Sequence, residues 1–272
     1  MYTHRKGMSS MRGKKFGKGI TLLADLTALA MVLLAFFLIA RKPLSKSDQN
    51  YIQTLDAAVT GTLMNSRAET VSECLAAEAE QLAPCAPEHL RDRHLKDLAE
   101  QYRANLITLQ SLLVINPETG EAEYTDGLAW HEALTARGEL LQAFCTDFSL
   151  FSDRPELVQS VSDATVRERA LAAAEDDLRS QLLGASPHRL SRNAPYYLQY
   201  RNRTDYTLDL VFVNLYQAPD GRRSCDIQNA VLAPNDRLHI RLDNMPDNCA
   251  AWVTDWEIDS VYSDASPLLE TY

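Results

Sequence analysis

Metal and acid–base chemistry need donor side chains at spacings that one element can converge, and the six histidines are the first place to look. A di-iron centre in a helical bundle needs Glu-x-x-His on two helices. None of His4, His89, His94, His131, His188 and His239 has a glutamate three residues before it. His89 and His94 stand five apart, about 140° around a helix, so they do not converge as a zinc pair four apart would. Beside Arg91, Asp92 and Arg93 they read as part of a solvated face. Phosphate-cradling loops need glycines two to five apart so that backbone N–H groups approach the anion. Beyond the N-terminus the glycines are Gly61, Gly120, Gly127, Gly138, Gly184 and Gly221, too sparse for a dinucleotide fingerprint or a P-loop. No Gly-x-Ser-x-Gly elbow occurs, so a hydrolase would have to bring a serine to His131 and Glu132 from elsewhere in the chain. No cofactor, metal or catalytic residue is expected.

The five cysteines form no Cys-x-x-Cys pair, which leaves a thioredoxin-like site or zinc ribbon without support. An odd number leaves one thiol free or paired with another chain. Cys225 and Cys249, each just before a strand of the C-terminal region, are the expected disulfide. A helix from Cys74 to Leu82 would cover about 12 Å, beyond the roughly 7 Å limit between bridged Cα atoms. Cys74 and Cys85 therefore pair only if that helix ends early, and otherwise Cys145 takes one of them. Arg237, His239 and Arg241 alternate with Leu238, Ile240 and Leu242, giving a basic stripe opposite a core face. That stripe is either a docking site for an acidic partner or a solvated strand face. Trp252 and Trp256 read as core residues.

Residues 20–40 are apolar except for Thr21, Asp25 and Thr27, enough to cross a hydrocarbon core of roughly 30 Å as one helix. The stretch is too long for a signal-peptide core, and Leu38-Ile39-Ala40 before Arg41 is a poor cleavage site. Six basic residues precede the span and Arg41, Lys42 and Lys46 follow it. The positive-inside rule then puts the N-terminus in the cytoplasm and the rest outside. In a bacterium with two membranes this is an inner-membrane protein with a periplasmic body, where cysteines can be oxidised. Asp25, the intramembrane polar residue, either pairs with a partner helix or reaches headgroup water.

Residues 47–272 hold 18 basic and 36 acidic side chains, and Lys96 is their one lysine. So acidic a body repels phosphate backbones, and no nucleic-acid partner is expected.

Helical periodicity runs from about residue 47 to 183. It carries Tyr51, Ile52, Leu55, Val59 and Leu63, then Leu90, Leu98, Tyr102, Leu106 and Leu109 in a helix starting at Pro87. Residues 116–127 read as a polar loop, which is not a calcium loop because Glu121 stands where glycine is required. A last helix over 155–183 steps through Leu157, Val161, Ala164, Glu168, Leu171, Glu175, Leu178 and Leu182 in a heptad pattern. Glu168 and Glu175 lie about 10 Å apart by helix rise and read as stripe-edge carboxylates reaching solvent. After a Ser/Pro/Arg-rich linker at 184–195 the period changes to two. Strands are expected around 198–200, 208–216, 225–232, 237–242 and 252–258, separated by turns such as Pro219-Asp220-Gly221 and Pro234-Asn235-Asp236.

The fold class is therefore α+β: a transmembrane helix, a helical-bundle domain at 47–183, and a small antiparallel β-sandwich at 196–262 before a tail at 263–272. The run Val213-Asn214-Leu215-Tyr216-Gln217, with Leu232-Ala233-Pro234-Asn235-Asp236 after it, resembles the FxLYD-type domain, with Val for Phe and Gln for Asp. The resemblance covers about residues 195–262 and implies an immunoglobulin-like sandwich on a bacterial envelope protein. It carries over no catalytic residue.

The expectation is a single-pass envelope protein anchored in the lipid bilayer through residues 20–40. It would act as a non-catalytic scaffold or assembly factor with an envelope protein as partner. The alternatives are a periplasmic immunity-type binder of a basic toxin and a hydrolase with an unrecognised site.

Overall fold

Amphipathic spacing becomes helix wherever an apolar stripe can be buried, and the α-helices follow the sequence stripes closely. A computed structural model describes residues 44–64, 71–116, 122–263 and 266–270. The expected membrane span at 20–40, with Asp25, lies outside the described residues, and no helix among those described is long and apolar enough to cross a membrane. Residues 46–272 form one compact unit.

The helices are α1 (Lys46–Met64), α2 (Val71–Leu82), α3 (Arg93–Leu112), α4 (Gly127–Phe148) and α5 (Pro155–Leu182). Together with antiparallel strands they make an α+β fold. α3 shows the stripe plainly, burying Leu95, Leu98, Ala99, Tyr102, Leu106 and Leu109. Its start differs from the expected one: Pro87–His89 is a single 3₁₀ turn. The long helix begins at Arg93, where the Asp92 side chain accepts from the Leu95 N–H at 2.9 Å.

Tyr51, Leu55, Tyr102, Trp130, Phe144, Leu157 and Val161 share one helical core. Inside it the fully buried Glu78 accepts from the Tyr102 hydroxyl and, at 2.6 Å, from Arg137 Nη2. Burial, reinforced by Glu78, pushes the Tyr102 hydroxyl well up and keeps it a proton donor. Burial works against the Arg137 charge, but Tyr102 and Glu78 outweigh it.

A second core joins Leu198, Tyr200, Leu208, Leu210, Phe212 and Ile240 to Ala170, Leu171, Ala174, Leu178 and Leu182 of α5. The strands are β3 (Tyr196–Arg201), β4 (Thr207–Gln217), β5 (Arg223–Leu232), β6 (Arg237–Leu242), β7 (Ala251–Ser263) and β8 (Ser266–Glu270), all paired antiparallel. One sheet is β3-β6 and the other β5-β4-β7-β8. α5 therefore belongs to both cores, and the boundary expected at 183 falls at the end of a helix whose last turns already pack on strands.

Three local expectations are corrected. The polar loop holds a strand, β2 (Ala122–Tyr124), which pairs antiparallel with β1 (Leu113–Ile115) just before the loop, Leu113 opposite Tyr124. Part of the expected tail is strand β8. Cys225 and Cys249 are not bridged: Cys225 lies exposed on β5, while Cys249 packs against the core, its Sγ 3.0 Å from the Ala251 carbonyl. Cys225 stands within β5, whereas Cys249 lies in the turn before β7, and each thiol is free.

α4 and α5 approach closely because Gly138 faces Thr165. A Cβ at 138 would stand 2.1 Å from Thr165 Oγ1, and that hydroxyl is itself fixed at 2.6 Å on the Val161 carbonyl. Gly→Ala in a helix ordinarily stabilises by about 0.5–1 kcal/mol. Here Gly138→Ala is expected to destabilise by about 1–3 kcal/mol through overpacking. Chemical denaturation checks it, and an unchanged or raised midpoint would contradict the close approach.

Candidate functional site

A cleft of about 1200 Å³ opens where the second half of α5 passes β7 and the start of α4. Local chemistry sets each wall. β7 alternates Trp252, Thr254, Trp256 and Ile258, half-buried toward α5, with the exposed Val253, Asp255 and Glu257. α5 contributes Leu171, Glu175, Arg179 and Leu182, which share one helix face at spacings of three and four. Tyr124 enters from β2 and His131 from α4.

Hydrogen bonds hold these side chains in place. Trp256 Nε1 donates to Glu175 Oε2 at 2.9 Å, tying β7 to α5. Asp126 caps α4 by accepting from the Ala129 N–H and also takes both Arg179 Nη atoms, at 2.9 and 3.1 Å. A Cβ at Gly127 would lie 3.4 Å from the Tyr124 ring and 3.5 Å from Glu175, so the first turn of α4 seats against both. Tyr124 stacks on Trp130, with 10° between ring planes and centroids 6.1 Å apart.

Glu168 is corrected from its expected exposure. It is buried, with Oε2 2.8 Å from His131 Nδ1 and Oε1 accepting from Arg167 Nε at 3.0 Å. The facing helix that the heptad pattern requires supplies His131, and β7 supplies the partner of Glu175.

The cleft is electronegative. Arg179 is engaged by Asp126, which leaves Glu175, Asp255 and Glu257 to set the sign. Burial first, and then the charges of Glu175, Glu257, Asp255 and Glu168, push the Tyr124 hydroxyl up. Such a wall of carboxylates and indoles suits a cation, through charge and through the ring faces. No serine or cysteine is among the residues lining the cleft, and Glu132 is exposed on α4, so the structure does not bring His131, Glu132 and a serine together there. Among the described residues no group of three His, Cys, Asp or Glu could hold a metal ion.

Arg237, His239 and Arg241 are exposed on β6, away from the cleft lining. Register places Arg201, Gln199 and Tyr197 of β3 opposite them. Tyr197 lies against His239 with ring centroids 4.8 Å apart, and Arg241 Nη2 donates to Asp243 at 3.0 Å. Trp252 and Trp256 are core and cleft wall at once. The residues that sequence reasoning missed are Tyr124, Asp126, Glu175, Arg179, Asp255 and Glu257. Acids at alternate positions beside the two tryptophans were the available signal.

Asp126 gives a pH-dependent handle. Its carboxyl is held below the usual range, first by the Arg179 hydrogen bonds and then by the Ala129 N–H. A carboxyl depressed on folding contributes stability that is complete above the ordinary aspartate value and is lost as pH falls through the lower folded value. Asp126→Ala is expected to cost about 1 kcal/mol near neutral pH, the usual worth of an N-cap. The gap to the parent protein should narrow as pH drops below about 4. Urea titrations at both pH values check this, and a gap that stays constant would contradict the assignment. No family model, curated protein or solved structure matches this chain at a significant level.

Proposed function

We propose that this chain is a non-catalytic binding protein of the bacterial cell envelope, and that the cleft between α5 and β7 receives a cationic segment of a partner protein. The observation that carries the reading is the cleft wall itself, where Glu175, Asp255 and Glu257 stand beside Trp252, Trp256 and Tyr124. The charge of residues 47–272 points the same way. So acidic a surface speeds encounter with a basic partner and repels acidic ones.

In this reading residues 20–40 anchor the chain in the inner membrane, with the body in the periplasm and the N-terminus in the cytoplasm. The C-terminal strands form the sandwich of an FxLYD-type module, and the chain serves as scaffold or assembly factor. A toxin-neutralising role would use the same cleft, since either partner is recognised by its positive charge.

The test is titration of residues 46–272 with a short oligo-arginine peptide, followed by tryptophan fluorescence. Binding should quench the indole signal and weaken steeply with salt. The double substitution Asp255→Lys with Glu257→Lys should cost roughly tenfold or more in affinity, as reversed charges now repel the peptide. Arg237→Glu with Arg241→Glu should leave it intact or strengthen it. Equal affinity in the β7 variant, or loss in the β6 variant, would overturn the cleft assignment.

A further inference from the structure

β7 is paired along its whole length on one side only. β4 covers Ala251–Tyr262, whereas β8 reaches only Ser260 to Ser263 on the other side. Between Trp252 and Ile258 no strand among the described residues covers the second side. The cleft is lined by every residue from Trp252 to Ile258 without a gap. Successive strand residues point to opposite faces, so a cavity that touches all seven runs along the strand's edge and not across one face. The Trp256 N–H illustrates the edge state, since it donates to its neighbour's Asp255 Oδ1 at 2.9 Å. A row of such groups is a template for another strand, and proteins ordinarily blunt it with charge. Here Asp255 and Glu257 repel a second acidic edge and attract a basic one.

Resting on the cationic-cleft reading, we propose that the partner segment binds as an added antiparallel or parallel strand on the open edge of β7, and that it alternates basic with apolar residues. The alternation follows from β7. Cross-strand neighbours on one face would meet Asp255 and Glu257, which select lysine or arginine. Those on the other face would meet Trp252, Trp256 and Ile258, which select aliphatic or aromatic side chains. Backbone hydrogen bonds would supply affinity and the side-chain alternation specificity.

The experiment compares three probes on residues 46–272: a short peptide alternating arginine and valine, the same peptide N-methylated at alternate amides, and oligo-arginine. The alternating peptide should bind tightest, and N-methylation of the edge-facing amides should weaken it by about tenfold or more, because charge and side chains are kept while donors are lost. Hydrogen exchange should slow at the backbone of Thr254 and Trp256 in the complex. Equal binding of the methylated peptide, with no new protection on β7, would overturn strand addition while leaving the cationic cleft standing. Failure of all three probes would overturn both. Concentration-dependent dimerisation that protects the same amides without peptide would assign the edge to a second copy of the chain and overturn the partner strand.

Discussion

Everything described here hangs on α5, a helix of 28 residues that belongs to two cores. By helix rise it is about 42 Å long, more than one small core can bury. Its first half gives Leu157 and Val161 to the helical core, and its second half gives Leu171, Leu178 and Leu182 to the strands. The helix therefore couples the two cores mechanically, and the cleft exists because α4 and β7 both pack on α5 without meeting along their length. The Gly138–Thr165 contact sets how close α4 lies. The Trp256–Glu175 hydrogen bond fixes β7 against the other side.

Polar groups are spent where the two cores need orientation. Glu78, Tyr102 and Arg137 lock α2, α3 and α4 inside the helical core, where leaving any one of them unpartnered would strand a buried polar group. Asp177 does the equivalent work on α5, accepting from the Tyr200 hydroxyl at 2.9 Å and from the Arg203 N–H at 3.0 Å. Burial and the Asp177 charge push the Tyr200 hydroxyl up, so it stays a donor. In this frame the carboxylates of β7 stand apart. Asp255 and Glu257 are exposed on the strand, and neither forms an ion pair with a basic side chain among the described residues.

Periodicity made the elements legible and left their partners hidden. The stripe on α3, the heptad of α5 and the alternation of β6 and β7 each follow from local spacing, so they could be read directly. Glu168 could not, because its burial depends on His131 arriving from another helix 37 residues away. The cysteines failed for a related reason: proximity to strand ends was legible in Cys225 and Cys249, but the exposure of one and the packing of the other against the core were not. The cleft was the least legible of all. Its carboxylates look like an ordinary solvated strand face until the topology leaves the neighbouring edge open.

The most direct test of the central claim is site-resolved photo-crosslinking of the full-length chain in cells, with a photoreactive residue at position 257 or, separately, at 239, followed by mass spectrometry of the linked peptides. The cleft account expects position 257 to link one recurring partner segment rich in lysine or arginine, with position 239 silent. Crosslinks confined to position 239, or linked segments at 257 that are acidic, would contradict it.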